Sequence, residues 1–206
     1  MNTLLNHEQL NQQGLVHSAL RPSLGLIVVG FLIAGVLYAT ASVSVAQLLF
    51  PEQANGSLIK LDDRIVGSSL VGQNFVGGQY FHGRPSAVSY SVDGMAGSNL
   101  AVSNPDLQKQ IKERTVQFAQ DNHILEQKVP NDMVTASGSG IDPDISPESA
   151  LLQVKRVAEL RHLPEQQVRD LVQQQIQPAQ FGLYGQARVN VLQLNLALDQ
   201  LSSISR

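Results

Sequence analysis

The chain has 206 residues, 14 Lys and Arg against 17 Asp and Glu for a formal net charge of -3, 43% hydrophobic and 5% aromatic content, and neither Cys nor Trp. That length holds one membrane segment plus one domain of about 150 residues, and leaves no room for a second full domain. The charge gives no basic field to draw in a phosphate backbone, which argues against nucleic acid, and the lack of Cys removes disulfide frameworks and thiolate metal sites.

The first residues, up to Leu20, are polar and carry only Glu8 as a charge, so 1–21 reads as a short cytoplasmic leader. The uncharged run from Pro22 to Pro51 follows, between Arg21 and Glu52. It exceeds the ~20 apolar residues that a helix needs to cross a bilayer, and a helix satisfies its own backbone there. Residues 22–50 are therefore expected to be a transmembrane helix, with Pro22 tolerated in its first turn and Arg21 at the headgroups. A cleaved signal peptide, with Ala39, Thr40 and Ala41 as the small-residue site, is the alternative. The apolar run is much longer than a 7–15 residue signal core, and the leader lacks a basic cluster. Gly30 with Ala34, and Gly35 with Ala39, place small residues four apart, where another helix can approach closely. Arg21 before the span and Lys60 and Arg64 after it leave the positive-inside rule close to silent. A short leader is easily left in the cytoplasm while the long C-terminal part is exported, so the expected orientation is N-terminus in and C-terminal domain out.

Residues 51–206 are expected to form an extracytoplasmic α/β (α+β) domain with short strands and about four helices. Ala54 to Ile59 reads as a turn, with Asn55, Gly56 and Ser57 matching a glycosylation acceptor. Arg64–Leu70 and Val76–His82 read as strands bounded by glycines. The segment Tyr80-Phe81-His82-Gly83-Arg84-Pro85-Ser86 then leaves any strand, and a His beside Gly is expected in an exposed turn. Tyr90 to Val102 reads as loop. Asn104, Pro105 and Asp106 form a helix start, with a helix to about Asp121 and an inner face of Leu107, Ile111, Arg114 or Thr115, and Phe118.

The densest polar cluster comes next, from Val134 to Glu148, and includes Ser137, Ser139, Asp142 and Asp144. Ser146 and Pro147 open a helix to about His162, and Leu163, Pro164 and Glu165 open another to about Gln177. These should give Leu151, Val154, Val157, Ala158, Val168, Leu171 and Val172 to a core. Phe181 to Gly185 reads as a turn and Arg188 to Val191 as a strand. Leu192 to Leu201 reads as a helix on length, although its alternate leucines also fit a strand.

Three chemistries could use the Ser-Gly loop. A phosphate loop fails because Gly140 is followed by Ile141, not Lys. A nucleophile elbow around Ser139 has Ser137 where the first Gly belongs, so a membrane-tethered serine hydrolase with His82 as base requires folding to bring the groups together. Asp142 and Asp144 offer oxygen ligands to a divalent cation, yet without the ligand spacing of an EF-hand. From the residues alone, stiff polar loops on an anchored domain suit docking onto a larger partner, with a secreted binding domain as a further alternative.

The chain resembles the C subunit of the bacterial Kdp potassium-transporting P-type ATPase. The resemblance runs from Leu20 onward, through Leu20-Arg21-Pro22, Asn55-Gly56-Ser57, Gly72-Gln73 with Phe75, Tyr80 to Ser86, Gly97-Ser98-Asn99-Leu100, Asn104-Pro105, Thr135 to Gly140 with Asp142-Pro143 and Ile145-Ser146-Pro147, and Arg188 to Leu192 with Leu194 to Asp199. The long polar leader and the stretch Asn99 to Ser103 depart from that pattern. The resemblance implies a non-catalytic, single-pass accessory subunit in the bacterial inner membrane. Its partners would be a channel-like potassium-binding subunit, a P-type ATP-hydrolysing subunit and, in addition, a small single-span subunit and membrane lipid. ATP and Mg would belong to the catalytic partner, K+ would be the transported ion, and no cofactor would sit on this chain. The expected roles are stabilising the complex, capping or gating the outer mouth of the potassium path, and modulating the ATP affinity of the partner. Candidate partner contacts are His82, Arg84, Ser137, Ser139, Asp142 and Asp144, and candidate helix-packing positions are Gly30, Ala34, Gly35 and Ala39.

Overall fold

A computed structural model describes residues 19–204, and the leader expected before them lies outside the described residues. The chain divides into two compact units, one up to Gly56 and one from Ser57. The first is the apolar helix α1, Ala19–Leu49, of 31 residues with a mean hydropathy of 2.3 over its most apolar stretch. A π-helical segment at Leu32–Leu37 interrupts its α-geometry. A single turn, α2 (Pro51–Ala54), follows Phe50. Asn55 closes this end, since its Nδ2 donates to the Pro51 carbonyl (2.6 Å) and to Gln47 Oε1 (3.1 Å).

The second unit begins with an antiparallel hairpin, β1 (Leu58–Leu61) and β2 (Arg64–Ser68), with a bulge between Ile59 and Lys60. Asp62 and Asp63, both at positive φ (47° and 60°), make its turn, a geometry that follows the strand twist and that Asp tolerates. Four helices follow: α3 (Pro105–Asn122), α4 (Pro147–Arg161), α5 (Glu165–Gln174) and α6 (Val191–Ile204). Asn104 Oδ1 accepts from Asp106 N at 2.8 Å, and Ser146 Oγ accepts from Ser149 N at 3.1 Å. These caps, each followed by Pro at the first helical position, satisfy amides that a helix start leaves free. The left-handed residues that end α3 and α4 are His123 and His162.

Three short strands, β3 (Asp144–Ile145), β4 (Ile176–Gln177) and β5 (Arg188–Asn190), form an antiparallel sheet in the order β3-β5-β4. Val189 faces both neighbours, Ile145 and Ile176, and is fully buried. Around it the core gathers Phe81, Phe118, Val154, Val157, Ala158, Val168, Val172, Leu194 and Leu198, while Leu151 and Leu171 are partly buried against it. The class expected from the sequence, one apolar N-terminal helix and then a small α/β domain, is the one observed.

Several local expectations are corrected. Leu58 and Ile59 open β1 and are not turn residues, β2 stops at Ser68, and α5 stops at Gln174 so that Ile176 and Gln177 can pair with β5. Val76–His82 forms no strand. Gly77 and Gly78 break the run, and the peptide groups that a strand would have paired are taken by side-chain amides. Phe81 N donates to Asn195 Oδ1 (2.8 Å) and Asn195 Nδ2 donates back to Phe81 O (2.9 Å). Gln153 holds His82 in the same reciprocal way, at 2.8 and 3.1 Å.

Candidate functional site

The two loops singled out in the sequence lie side by side. Ser137 N donates to the Pro85 carbonyl (3.0 Å) and Gly72 N to the Ile141 carbonyl (2.8 Å). Ser86 Oγ donates to Gly140 O at 2.6 Å while accepting from Val88 N and Tyr90 N. Gly140 (φ +73) is required here, because a Cβ would meet the Ala96 carbonyl at 2.6 Å.

Arg84 and Asp142 join the loops directly, Nη1 to Oδ2 at 2.9 Å, both about three-quarters buried. Tyr90 Oη donates to the Arg84 carbonyl at 2.6 Å. Burial, and then the charge of Asp142, push the Tyr90 phenol up to about 12, against the opposing pull of Arg84, so it stays a donor at physiological pH. Asp142 also accepts from Asp144 N at 3.1 Å. Asp144 pairs with Arg188 Nε (3.1 Å) and accepts from Asn190 Nδ2 (3.3 Å). Its carboxyl is raised above the ordinary range, mainly by burial, with Arg188 opposing. Burial outweighs the ion pair because Arg188 is itself half exposed and screened by water. Arg84, Asp142, Asp144 and Arg188 line a cleft of about 620 Å³.

Ser137 is buried, and its Oγ accepts from Ser139 N and Gly140 N at 3.2 Å each. Ser139 is exposed, its Oγ lying 3.1 Å from Ser137 Oγ and accepting from Ile141 N. His82 is half-buried and not in an exposed turn. Its Nε2 lies 3.0 Å from the Gly77 carbonyl, which can only accept, so this nitrogen carries the proton. Burial, and next the positive charge of Arg156, lower its pKa, while the Gly77 bond and Asp121 oppose them. Among the described residues no His is hydrogen-bonded to Ser139, so the arrangement a serine nucleophile needs is not assembled. Nor, among the described residues, do three His, Cys, Asp or Glu side chains converge as a metal site. What the geometry supplies is a set of polar loops locked together by internal pairs.

Three residues that hold these loops were not singled out from the sequence: Gln153, Arg156 and Asn195. Arg156, buried on α4, donates to Asn122 Oδ1 (2.9 Å), Tyr80 O (3.0 Å), Gln153 Oε1 (2.8 Å) and the Gly78 carbonyl. Burial lowers its pKa to about 10, with Asp121 opposing. The available signal was a polar residue inside an apolar helical stripe, as Asn195 lies between Leu194 and Leu198. On α1, Gly30, Ala34, Gly35 and Ala39 are all exposed, with Ala34 and Gly35 inside the π segment.

The family model described as KdpC, K+-transporting ATPase, c chain, matches residues 20–200. The chain belongs to the KdpC family. A KdpC subunit of Gemmatimonas aurantiaca is 50% identical over 189 residues, covering 90% of this chain and 94% of the relative. Those of Methylobacterium nodulans (46% over 197 residues; 89% and 97% covered) and Yersinia enterocolitica (45% over 190 residues; 91% and 95%) are similar over the same span. The KdpC match takes in α1 as well as the domain, so the apolar helix is part of what makes this chain a member, and the chain is an accessory subunit of a potassium-transporting ATPase.

Proposed function

We propose that this chain is a non-catalytic subunit that crosses the inner membrane once, with residues 1–21 in the cytoplasm, 22–50 in the bilayer and 51–206 outside. There it holds the channel-like potassium-binding subunit and the P-type ATP-hydrolysing subunit together, with a small single-span subunit as a further neighbour, and caps the outer mouth of the potassium path. The observation that carries this reading is α1, whose length and hydropathy suit a bilayer, in a chain of the KdpC family. The interlocked loops around Arg84 and Asp142 support a docking role, since a rigid surface loses little conformational entropy on binding.

In this orientation the domain and the nucleotide site lie on opposite faces of a ~30 Å hydrocarbon core, so the domain does not touch ATP. Modulation of ATP affinity is then a coupling carried by the span, on the order of 1–3 kcal/mol. ATP and Mg stay with the catalytic partner, and K+ is cargo. The test is a deletion strain grown at limiting potassium, with co-purification of the remaining subunits. Loss of uptake together with a smaller yield of intact complex is expected, whereas full transport without the chain would sink the reading.

A further inference from the structure

The loop from Pro178 to Ala187 joins β4 to β5, with Gln180 through Arg188 all exposed. Its tip carries three large apolar side chains in open water: Phe181 at 85% exposure, Leu183 at 81% and Tyr184 at 68%. The tip is closed by its own backbone. Gln180 N donates to Tyr184 O (2.8 Å), Tyr184 N to Gln180 O (2.9 Å), Leu183 N to Gln180 O (3.1 Å) and Gly182 N to Ala179 O (2.9 Å). It is therefore a fixed projection whose arms lead into the buried centre of the sheet at Val189.

Residue choice at the tip works against local stability. Phe181 and Gly182 both have positive φ, 55° and 72°. At such a pair the first position favours Asn or Asp, and a bulky side chain there costs on the order of 1 kcal/mol. Phe181 bears that strain and gains no burial in its own domain. From Leu171 to Ala187 there is, besides, no charged residue.

We propose that this tip is a docking knob that seats in an uncharged, apolar pocket on another membrane-embedded subunit of the same assembly. The inference rests on the subunit reading above. Neutrality favours a protein pocket over the bilayer surface, because anionic headgroups are held by Lys and Arg, which the tip lacks. Size favours a partner already in the complex. Three side chains fall well short of the roughly 800 Å² per partner of a stable interface between free proteins. They suffice as a second contact when a membrane helix supplies the first, since linkage raises the effective concentration to about the millimolar range.

The experiment uses the full chain expressed with its pump subunits. Phe181→Asn with Leu183→Ser removes two of the three apolar side chains of the tip and relieves the left-handed strain, so the variant should unfold at the wild-type temperature or above it. Its loss from the detergent-solubilised complex should be about tenfold faster or more, the scale of deleting a buried aromatic anchor. A benzoylphenylalanine photoprobe at position Leu183 should cross-link to another subunit. If the wild-type chain fails to co-purify, the subunit reading falls. If wild type is retained and the double variant leaves no faster, or if the probe links only to lipid, only to a second copy of this chain, or to nothing, the knob is overturned and the subunit reading stands.

Discussion

The proton balance of His82 ties the stability of the domain to pH. Its pKa is lowered in the folded chain, first by burial and then by Arg156, so the unfolded chain binds the proton more tightly. Stability therefore rises with pH across this window. It is fully present above the ordinary histidine value of about 6.5 and is lost as pH falls through it toward the folded value. His82→Gln keeps an amide N–H for the Gly77 carbonyl and removes the titration. The variant should show a flatter dependence of unfolding free energy between about pH 7 and 5, where one such site contributes at most about 1.4 kcal/mol per pH unit. Urea titrations of the full chain in detergent at several pH values check this, and parallel curves for the two proteins would remove His82 as the cause. Asp144 acts in the opposite sense, since a raised carboxyl pKa means stability lost as pH rises from the ordinary carboxylate range through the folded value. Neither environment was legible from nearby residues. His82 looks like a turn residue beside Gly83, and it is half-buried because Gln153, 71 positions later, holds its backbone.

Helices were the elements most readable in the sequence. Asn104 with Pro105 and Ser146 with Pro147 announce α3 and α4 through cap chemistry that depends on adjacent residues only. Val76–His82 misled, because its composition suits a strand while its peptide groups are met by the amides of Asn195 and Gln153 on two helices. On α1 the small residues were legible, but the π segment at Leu32–Leu37 was not. Ala34 and Gly35 lie inside that segment, with Gly30 before it and Ala39 after it, so the four small residues do not keep the relative facing that a continuous α-helix would give them. A Cβ at Gly30 would meet nothing within 4 Å, and one at Gly35 only the Phe31 ring at ordinary contact distance. Gly30→Leu and Gly35→Leu should thus leave the helix itself intact and weaken assembly by blocking the approach of a neighbouring helix. Blue-native gels of the complex read this directly, and an unchanged yield would reduce α1 to a simple tether.

For the whole molecule, topology decides which partner surfaces are within reach. The chain contains no Cys, so one introduced thiol is a unique reporter. A membrane-impermeant maleimide should label Gln127→Cys, on the exposed single turn between α3 and β3, in intact cells, and Ser18→Cys only after the cells are opened. The reverse pattern would place the domain in the cytoplasm and return the ATP site to direct reach. The closure of the domain, finally, constrains its birth. Phe81 is held by Asn195, 114 positions later, and β5 completes the sheet only at Asn190. A chain leaving the ribosome from its N-terminus has neither clamp nor central strand until Arg188 to Asn195 have been made. Phe81, the β3 and β4 edges and the valines of α4 and α5 must wait in a partly collapsed state for that moment. Premature termination before Asn195 would therefore remove the latch for the entire fold, while the apolar helix α1, made earlier, would already be complete.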